Sequence, residues 1–276
     1  MTRIAAIQMA SGPKLGANLV EAERLIGQAA ESGAKLIVLP ENFAFMGERE
    51  QDKLKVREQH GGGPIQGFLA TQAQRHGVWL VGGTVPLACD EPDKVRAACL
   101  VYDAEGREVA RYDKVHLFDV TVTDNQAERY EESMTIEPGR DAVVLDTPVG
   151  RLGLAVCYDL RFPEQFRCML SEGMEIIALP AAFTAITGKA HWEVLVRSRA
   201  IENLAYVIAA DQGGYHLGGR ETHGDSMIVD PWGIVLKRLP RGAGVISAEL
   251  DRERLLSIRR SFPVTDHRKF NCVVTG

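Results

Sequence analysis

The sequence predicts an α/β fold with mixed sheets, and three observations carry that prediction. Apolar runs of strand length alternate with segments of helical period along the whole chain. Three of the runs, KLIVLPE (35–41), RLGLAVC (151–157) and EIIALP (175–180), are apolar almost throughout, as strands buried on both faces of a sheet are. The second half adds repeated hairpin signals, so parallel and antiparallel pairs must share the sheets.

RIAAIQM (3–9) reads as the first strand. A helix follows, with Asn18 as a candidate cap and Leu19, Ala22, Leu25, Ile26, Ala29 and Ala30 on one face. The strand KLIVLPE leads into a polar segment, EREQDKLKVREQH (48–60), and then GGGP, where Pro64 can open a helix at its first turn. VWLVGGTV (78–85) is the next strand, and AACLVYD and REVARYD, joined by AEG, form a hairpin. Residues 119–141 are acidic, rich in turn formers and read as irregular. A helix from about Pro163 separates RLGLAVC from EIIALP. HWEVLVRSRAIENL (191–204) is helical, with Trp192, Leu195 and Val196 facing the core and Arg197 and Arg199 facing solvent or a subunit contact. AYVIAAD is a strand, SMIVDPWGIVLKRL two strands turned at Asp230–Gly233, and GVISAEL a last strand before the short helix RERLLSIRR. No repeat, linker or low-complexity tract divides the chain, so residues 1–276 are expected to form a single domain.

Composition excludes several classes of function. A net charge of −5, with no basic run, leaves no electrostatic footprint for nucleic acid. No stretch approaches 18 consecutive apolar residues, and MTRIAAIQMA lacks the apolar segment of a signal peptide, so no membrane association is expected. The five cysteines, Cys89, Cys99, Cys157, Cys168 and Cys272, are odd in number and contain no CxxC pair, which argues against a disulfide framework or a structural zinc site. A reduced, cytoplasmic protein is the expectation.

The stretch GLAVCYDLRFPE (153–164) places Cys157 where a buried strand ends and a Pro-initiated helix begins. A nucleophile on such a turn meets substrate, while the following backbone N–H can face a developing oxyanion. Most cysteines on apolar runs are inert, and the other four are read that way. A thiol needs a base, yet none of the seven histidines stands in a local signature with Cys157. A desolvated carboxylate can do the same work, because burial raises its pKa. Glu41, delivered to a sheet edge by LIVLP, is the candidate; a helix-start or loop carboxylate is the alternative. Lys114, in RYDKVHLFD, is either a solvated lysine or, among Val115, Leu117 and Phe118, an ammonium entering an apolar site to favour a thiolate and stabilise a carbonyl oxyanion.

Together, LPEN, YDKVHLFD and GLAVCYDLRFPE, with TGKAHWEVLVRSRAIEN (187–203) and HGDSMIVDPWG (223–233), resemble the nitrilase superfamily of carbon–nitrogen hydrolases over essentially the whole chain. The resemblance is to the Nit branch, whose members act as omega-amidases or deaminated glutathione amidases. It implies an α-β-β-α four-layer sandwich, a homodimer or higher homo-oligomer, no metal or organic cofactor, and a Glu–Lys–Cys triad at Glu41, Lys114 and Cys157. A second glutamate is implied at Glu132, with Glu131 and Glu128 as alternative registers. The implied chemistry is cysteine-dependent hydrolysis of a small carboxylate-bearing linear amide through a thioester, deaminated glutathione or an omega-amide such as 2-oxoglutaramate. The Tyr158 N–H would assist the oxyanion and Arg161 would bind a substrate carboxylate, unless it pairs with Asp159 or Glu41. Arg220, in the glycine-flanked loop QGGYHLGGRETHGD, is the other candidate cation. An N-carbamoyl amidohydrolase, a nitrile hydrolase and a catalytically silent binding or assembly subunit are the remaining readings.

Overall fold

A computed structural model describes residues 1–124 and 126–270, leaving aside the side chains of residues 123, 124, 126–128 and 218. In chain order the elements are β1 (Thr2–Gln8), α1 (Leu15–Glu31), β2 (Leu36–Val38), α2 (Pro64–His76), β3 (Trp79–Val81), β4 (Val85–Ala88), β5 (Val95–Tyr102) and β6 (Glu108–Asp113). The hairpin β7 (Asp119–Asp124) and β8 (Gln126–Glu131) precedes β9 (Val143–Thr147), β10 (Gly150–Leu154), α3 (Pro163–Ser171), β11 (Ile176–Ala181), α4 (Ala185–Asn203) and β12 (Tyr206–Asp211). The chain closes with β13 (Gly213–Tyr215), β14 (Glu221–His223), β15 (Ser226–Val229), β16 (Val235–Leu239), β17 (Gly244–Leu250) and α5 (Arg252–Ser261).

Two sheets stack. One runs β17-β1-β2-β3-β5-β4 with β6 paired to β5; the other runs β16-β15-β12-β11-β10-β9. Each has three parallel strands at its centre, β1-β2-β3 and β10-β11-β12, flanked by antiparallel neighbours. The period-2 pleat explains the layering. Ile4, Ala6, Leu36 and Val38 point into the core shared with Leu152, Leu154 and Ile176, whereas Ala5, Ile7, Ile37 and Leu80 point the other way, onto Leu25, Ile26 and Ala29 of α1 and Ile65 and Leu69 of α2. On the opposite outer face Phe166 of α3 and Trp192, Val196 and Ala200 of α4 complete the packing. The result is the expected four-layer α-β-β-α sandwich.

Four local readings need correction. Asn18 lies inside α1 rather than at its cap; its amide donates to Gly12 O (2.7 Å) and Ala44 O (2.8 Å) and so ties down the loop before the helix. VWLVGGTV is two strands, not one, because Gly83 (φ +57°) breaks the run. A Cβ on Gly83 would lie 2.1 Å from Pro40 O, so the bare backbone is what lets this turn press against the segment delivering Glu41. Residues 119–131, read as irregular, contain the β7–β8 hairpin. Arg199 is buried, not solvated: Nε donates to Leu160 O (3.0 Å), Nη1 meets Glu202 (2.6 Å), and the guanidinium stacks on Phe166. Among the described residues no helix is long and apolar enough to cross a membrane.

Candidate active site

The parallel strands of both sheets end on one side, and the loops leaving them build a cleft of about 500 Å³. Glu41 follows β2, Lys114 follows β6, and Cys157 follows β10. The three residues, scattered over 117 positions, converge on its floor, all buried. Lys114 Nζ donates to Glu41 Oε1 at 2.9 Å and to both oxygens of Glu132 at 2.8 Å. Glu132 is further fixed by the Phe118 N–H (2.8 Å). Of the neighbouring glutamates, Glu131 is half exposed and pairs with Arg129 at 2.5 Å, while the side chain of Glu128 lies outside the described residues. The Cys157 thiol hydrogen-bonds to Glu41, and the Ala182 N–H donates to its sulfur.

Cys157 occupies the left-handed region (φ +48°), a conformation that a non-glycine residue holds only when its surroundings enforce it. The enforcement is visible. Asp159, fully buried, accepts from Val156 N–H (2.8 Å) just before the cysteine and from His116 N–H (3.0 Å) just after the lysine. Tyr112 Oη (2.6 Å) and His116 Nδ1 (2.8 Å) also bond it. One carboxylate thus locks the turn carrying Cys157 to the turn carrying Lys114. Gln212 supplies a second strut, from the end of β12 to Glu41 O (2.9 Å) and Ser11 Oγ (2.9 Å).

The charge states follow from this packing. Burial pushes the Glu41 carboxyl up, but the ammonium groups of Lys114 and Lys53 and the hydrogen bonds from Lys114 and Cys157 outweigh it and hold the group below its ordinary value. The sequence expectation, a pKa raised toward neutrality, is therefore reversed. Burial, together with the charge of Glu41, lifts the Cys157 thiol well above 9.0 despite Lys114, so no resting thiolate is favoured, again contrary to expectation. Lys114, although penalised by burial, is held as an ammonium by Glu132 and Glu41. The resting arrangement is a thiol bonded to an ionised carboxylate, with a permanent cation alongside. Such a set can pass a proton from sulfur to Glu41 at the moment sulfur attacks a carbonyl.

Arg161 and Tyr158 line the cleft as expected, with Phe118 and Phe183. Arg161 makes neither expected ion pair; among the described residues no carboxylate meets it. Its guanidinium lies over Phe183 (5.1 Å) and Tyr158 (5.8 Å), and Nη1 donates to His191 Nδ1 (3.1 Å). Arg220 also reaches the cleft, beside two residues that the sequence reading passed over. Glu50 and Lys53 come from a short 3-10 helix, Glu50–Val56, within the stretch dismissed as a polar connection. Glu50 bonds Lys53 at 2.6 Å and Arg220 at 3.3 Å. The signal available was the spacing of Glu50 and Lys53, a helical i,i+3 pair indistinguishable in sequence from a solvated one. Cys99 is buried, Cys89 and Cys168 are half-buried, and Cys272 lies outside the described residues. Among the described residues no group of three or more His, Cys, Asp and Glu is placed to hold a metal ion.

Comparison with known proteins agrees with this geometry. The carbon-nitrogen hydrolase family model matches residues 3–260. The deaminated glutathione amidase of Yersinia enterocolitica is 42% identical over 268 residues, covering 97% of this chain and 93% of that protein. The crystal structure of the Caenorhabditis elegans NitFhit protein superposes with a TM-score of 0.88 at 34% identity, covering 97% of this chain; this chain spans 65% of that longer one. Saccharomyces cerevisiae Nit3, a nitrilase superfamily member, superposes with a TM-score of 0.86 at 32% identity, covering 98% and 97% of the two chains. The chain belongs to the carbon–nitrogen hydrolase family.

Proposed function

We propose that the protein is an amidase that hydrolyses the C–N bond of a small carboxylate-bearing linear amide through a thioester on Cys157, with deaminated glutathione or an omega-amide such as 2-oxoglutaramate as substrate. One observation carries the reading: Cys157, Glu41 and Lys114 are buried together on the cleft floor, with Lys114 Nζ 2.9 Å from Glu41 Oε1 and the thiol beside the same carboxylate. Glu41 takes the thiol proton as sulfur adds to the carbonyl carbon. Lys114 and the Tyr158 N–H stabilise the oxyanion, each such donor contributing about 10²–10³ in rate. Glu41 then returns the proton to the departing amine as the C–N bond breaks. Water, deprotonated by the same carboxylate, hydrolyses the thioester and frees the thiol. Glu132 keeps Lys114 charged and aimed. Arg161 binds the substrate's acyl-side carboxylate in this scheme, which its two aromatic faces and the lack of a carboxylate partner among the described residues support.

Substrate identity leans on the name of the Yersinia relative, and the acidic substrates named agree with Arg161, a cation of the cleft that no carboxylate meets among the described residues. An N-carbamoyl amidohydrolase would use the same early steps. Incubating wild type with 2-oxoglutaramate should release ammonia, and quenched mass spectrometry should show the acyl group on Cys157. Cys157→Ala should release none; normal turnover by that variant would refute the scheme, and a wild type inert on both 2-oxoglutaramate and deaminated glutathione would favour a silent binding subunit.

The homodimer expected from sequence has a candidate surface. Ile201 (46% exposed) of α4 lies against Gly233, next to Trp232 (52%), whose ring packs on Phe262 (49%), and Val194 (65%) is exposed on the same helix. Arg197 Nε, bonded to Gly233 O at 2.9 Å, holds the β15–β16 turn against this helix. A cluster of that kind fits burial against a second copy. Sedimentation of wild type as a monomer at micromolar concentration would remove the idea.

A further inference from the structure

We infer that the Glu50–Lys53–Arg220 cluster is a leaving-group subsite: it binds a carboxylate carried by the departing amine, so the enzyme is built for N-substituted amides whose amine part is acidic. The inference rests on the amidase reading above and adds the residues that read the other half of the substrate.

Three observations support it. The first is charge. Two cations share one carboxylate, Lys53 at 2.6 Å and Arg220 at 3.3 Å, which gives this part of the cleft wall a local positive surplus, opposed by Glu41 of the inner cluster. Lys53, chiefly, and Arg220 hold Glu50 at about 2, so it stays ionised and cannot increase that surplus by taking a proton near neutrality. A surplus cation of this kind in a mostly desolvated wall is stabilised by an incoming anion.

The second is an open valence. Arg220 Nε is buried and has no hydrogen-bond partner among the described residues, although Nη1 reaches Glu50 and the guanidinium lies 5.8 Å over the Tyr130 ring. Buried guanidinium donors are ordinarily satisfied. A guanidinium with an Nε donor to spare can bind a carboxylate through parallel Nε and Nη bonds.

The third is side. Glu41 gives its proton to the leaving amine, so the leaving group departs past Glu41. Lys53 is close enough to Glu41 for its charge to act there, and Arg220 acts on both Glu41 and Cys157. Arg161 instead acts beside Cys157 and Tyr158, on separate supports: Phe183, Tyr158 and His191. Both positions act on Cys157, but they rest on separate supports, so we assign Arg161 to the acyl half and the Glu50–Lys53–Arg220 cluster, beside Glu41, to the amine half.

Three substrates separate the outcomes: 2-oxoglutaramate, and the γ-amides of 2-oxoglutarate with glycine and with glycinamide. They share the acyl group and differ only in the amine. Wild type should favour the glycine amide over the glycinamide amide by about 10- to 100-fold in kcat/KM, the usual worth of a charge-assisted pair. That ratio should fall as salt rises. In Arg220→Gln the ratio should drop at least fivefold, and Arg220→Lys should recover part of it, whereas a loss of folding alone would lower all three substrates together and leave the ratio unchanged. A wild-type ratio near 1, or an equal ratio in wild type and Arg220→Gln, overturns the subsite. Failure of wild type to hydrolyse any of the three overturns the amidase reading instead.

Discussion

Two ion clusters share the wall of one cleft and carry opposite surpluses. The inner one, Glu41–Lys114–Glu132, sets two carboxylates against one ammonium. The outer one, Glu50–Lys53–Arg220, sets one carboxylate between two cations. The sign of the surplus decides what each can do. When Glu41 takes a proton, Lys114 remains compensated by Glu132, so the proton moves without stranding a buried charge. The outer cluster has no spare carboxylate to protonate and a spare cation to satisfy, which suits it to holding an anion.

The largest effects should come from breaking the inner balance. Lys114→Met removes an oxyanion donor and leaves two carboxylates facing one another, so kcat should fall more than about 10³-fold. Glu41→Gln removes the proton carrier and should cost about 10²–10⁴. Glu132→Gln should cost less, about 10–10², because Lys114 keeps Glu41 as partner. Steady-state kcat on one amide orders the three. Should Glu132→Gln prove as severe as Lys114→Met, Glu132 would be more than a counter-charge, and the inner cluster would need another account.

The pH profile sharpens the same contrast without any substitution. Glu41 lies below its ordinary 4.5, so its basic form is present above that value and is lost only as pH falls through the lower folded one. Cys157 lies well above 9.0, so the thiol persists until pH rises beyond the ordinary range. Glu50, at about 2, keeps the outer cluster's charge constant over the whole interval. The expected log kcat/KM is therefore flat from about pH 5 to 9 on a substrate that does not itself titrate there. A step of tenfold or more near pH 6–7 would point to histidine activation and refute carboxylate activation of the thiol.

The inner cluster was far more legible in sequence than the outer, and for a physical reason. Glu41 and Cys157 close apolar runs that only a sheet interior can hold, so their positions at strand ends could be read directly. Lys114 follows a hairpin and stands among apolar residues. Glu132 could not be separated from Glu131 by sequence because the choice rests on which carboxylate reaches Lys114 across the fold, a matter of three-dimensional register. The outer cluster was missed because Glu50 and Lys53 sit in EREQDKLKVREQH, where polarity is equally what a solvated connection shows. What draws Glu50 into the cleft wall is Arg220, 170 residues away. Arg199 misled similarly: in a helix its charge predicts solvent, yet a carbonyl, a carboxylate and an aromatic face receive it. The positive φ of Cys157 has no local sequence signal at all, since Asp159 enforces it jointly with the segment around Lys114.

A third carboxyl completes the comparison, because among the described residues no cation pairs with it. Asp211, at the end of β12, is fully buried; Oδ1 accepts from the Phe183 N–H (2.9 Å), and Oδ2 has no partner among the described residues. Burial first, and the charge of Glu41 in addition, push it well above 3.8, so it is held neutral where Glu41 is ionised. A raised carboxyl contributes its full stability below the unfolded value and loses it as pH rises toward the folded one, because the unfolded chain gains from ionising and the folded chain does not. Asp211→Asn removes that penalty at small steric cost. Its melting temperature relative to wild type should therefore climb between pH 5 and pH 8, ending about 2–4 °C higher. Thermal denaturation at several pH values reads the slope directly. A relative stability that falls with pH would mean that Asp211 is ionised and stabilised in the fold. The rule drawn from the two clusters, that a neighbouring cation decides which buried carboxyl carries charge, would then fail at the position where it is most exposed to test.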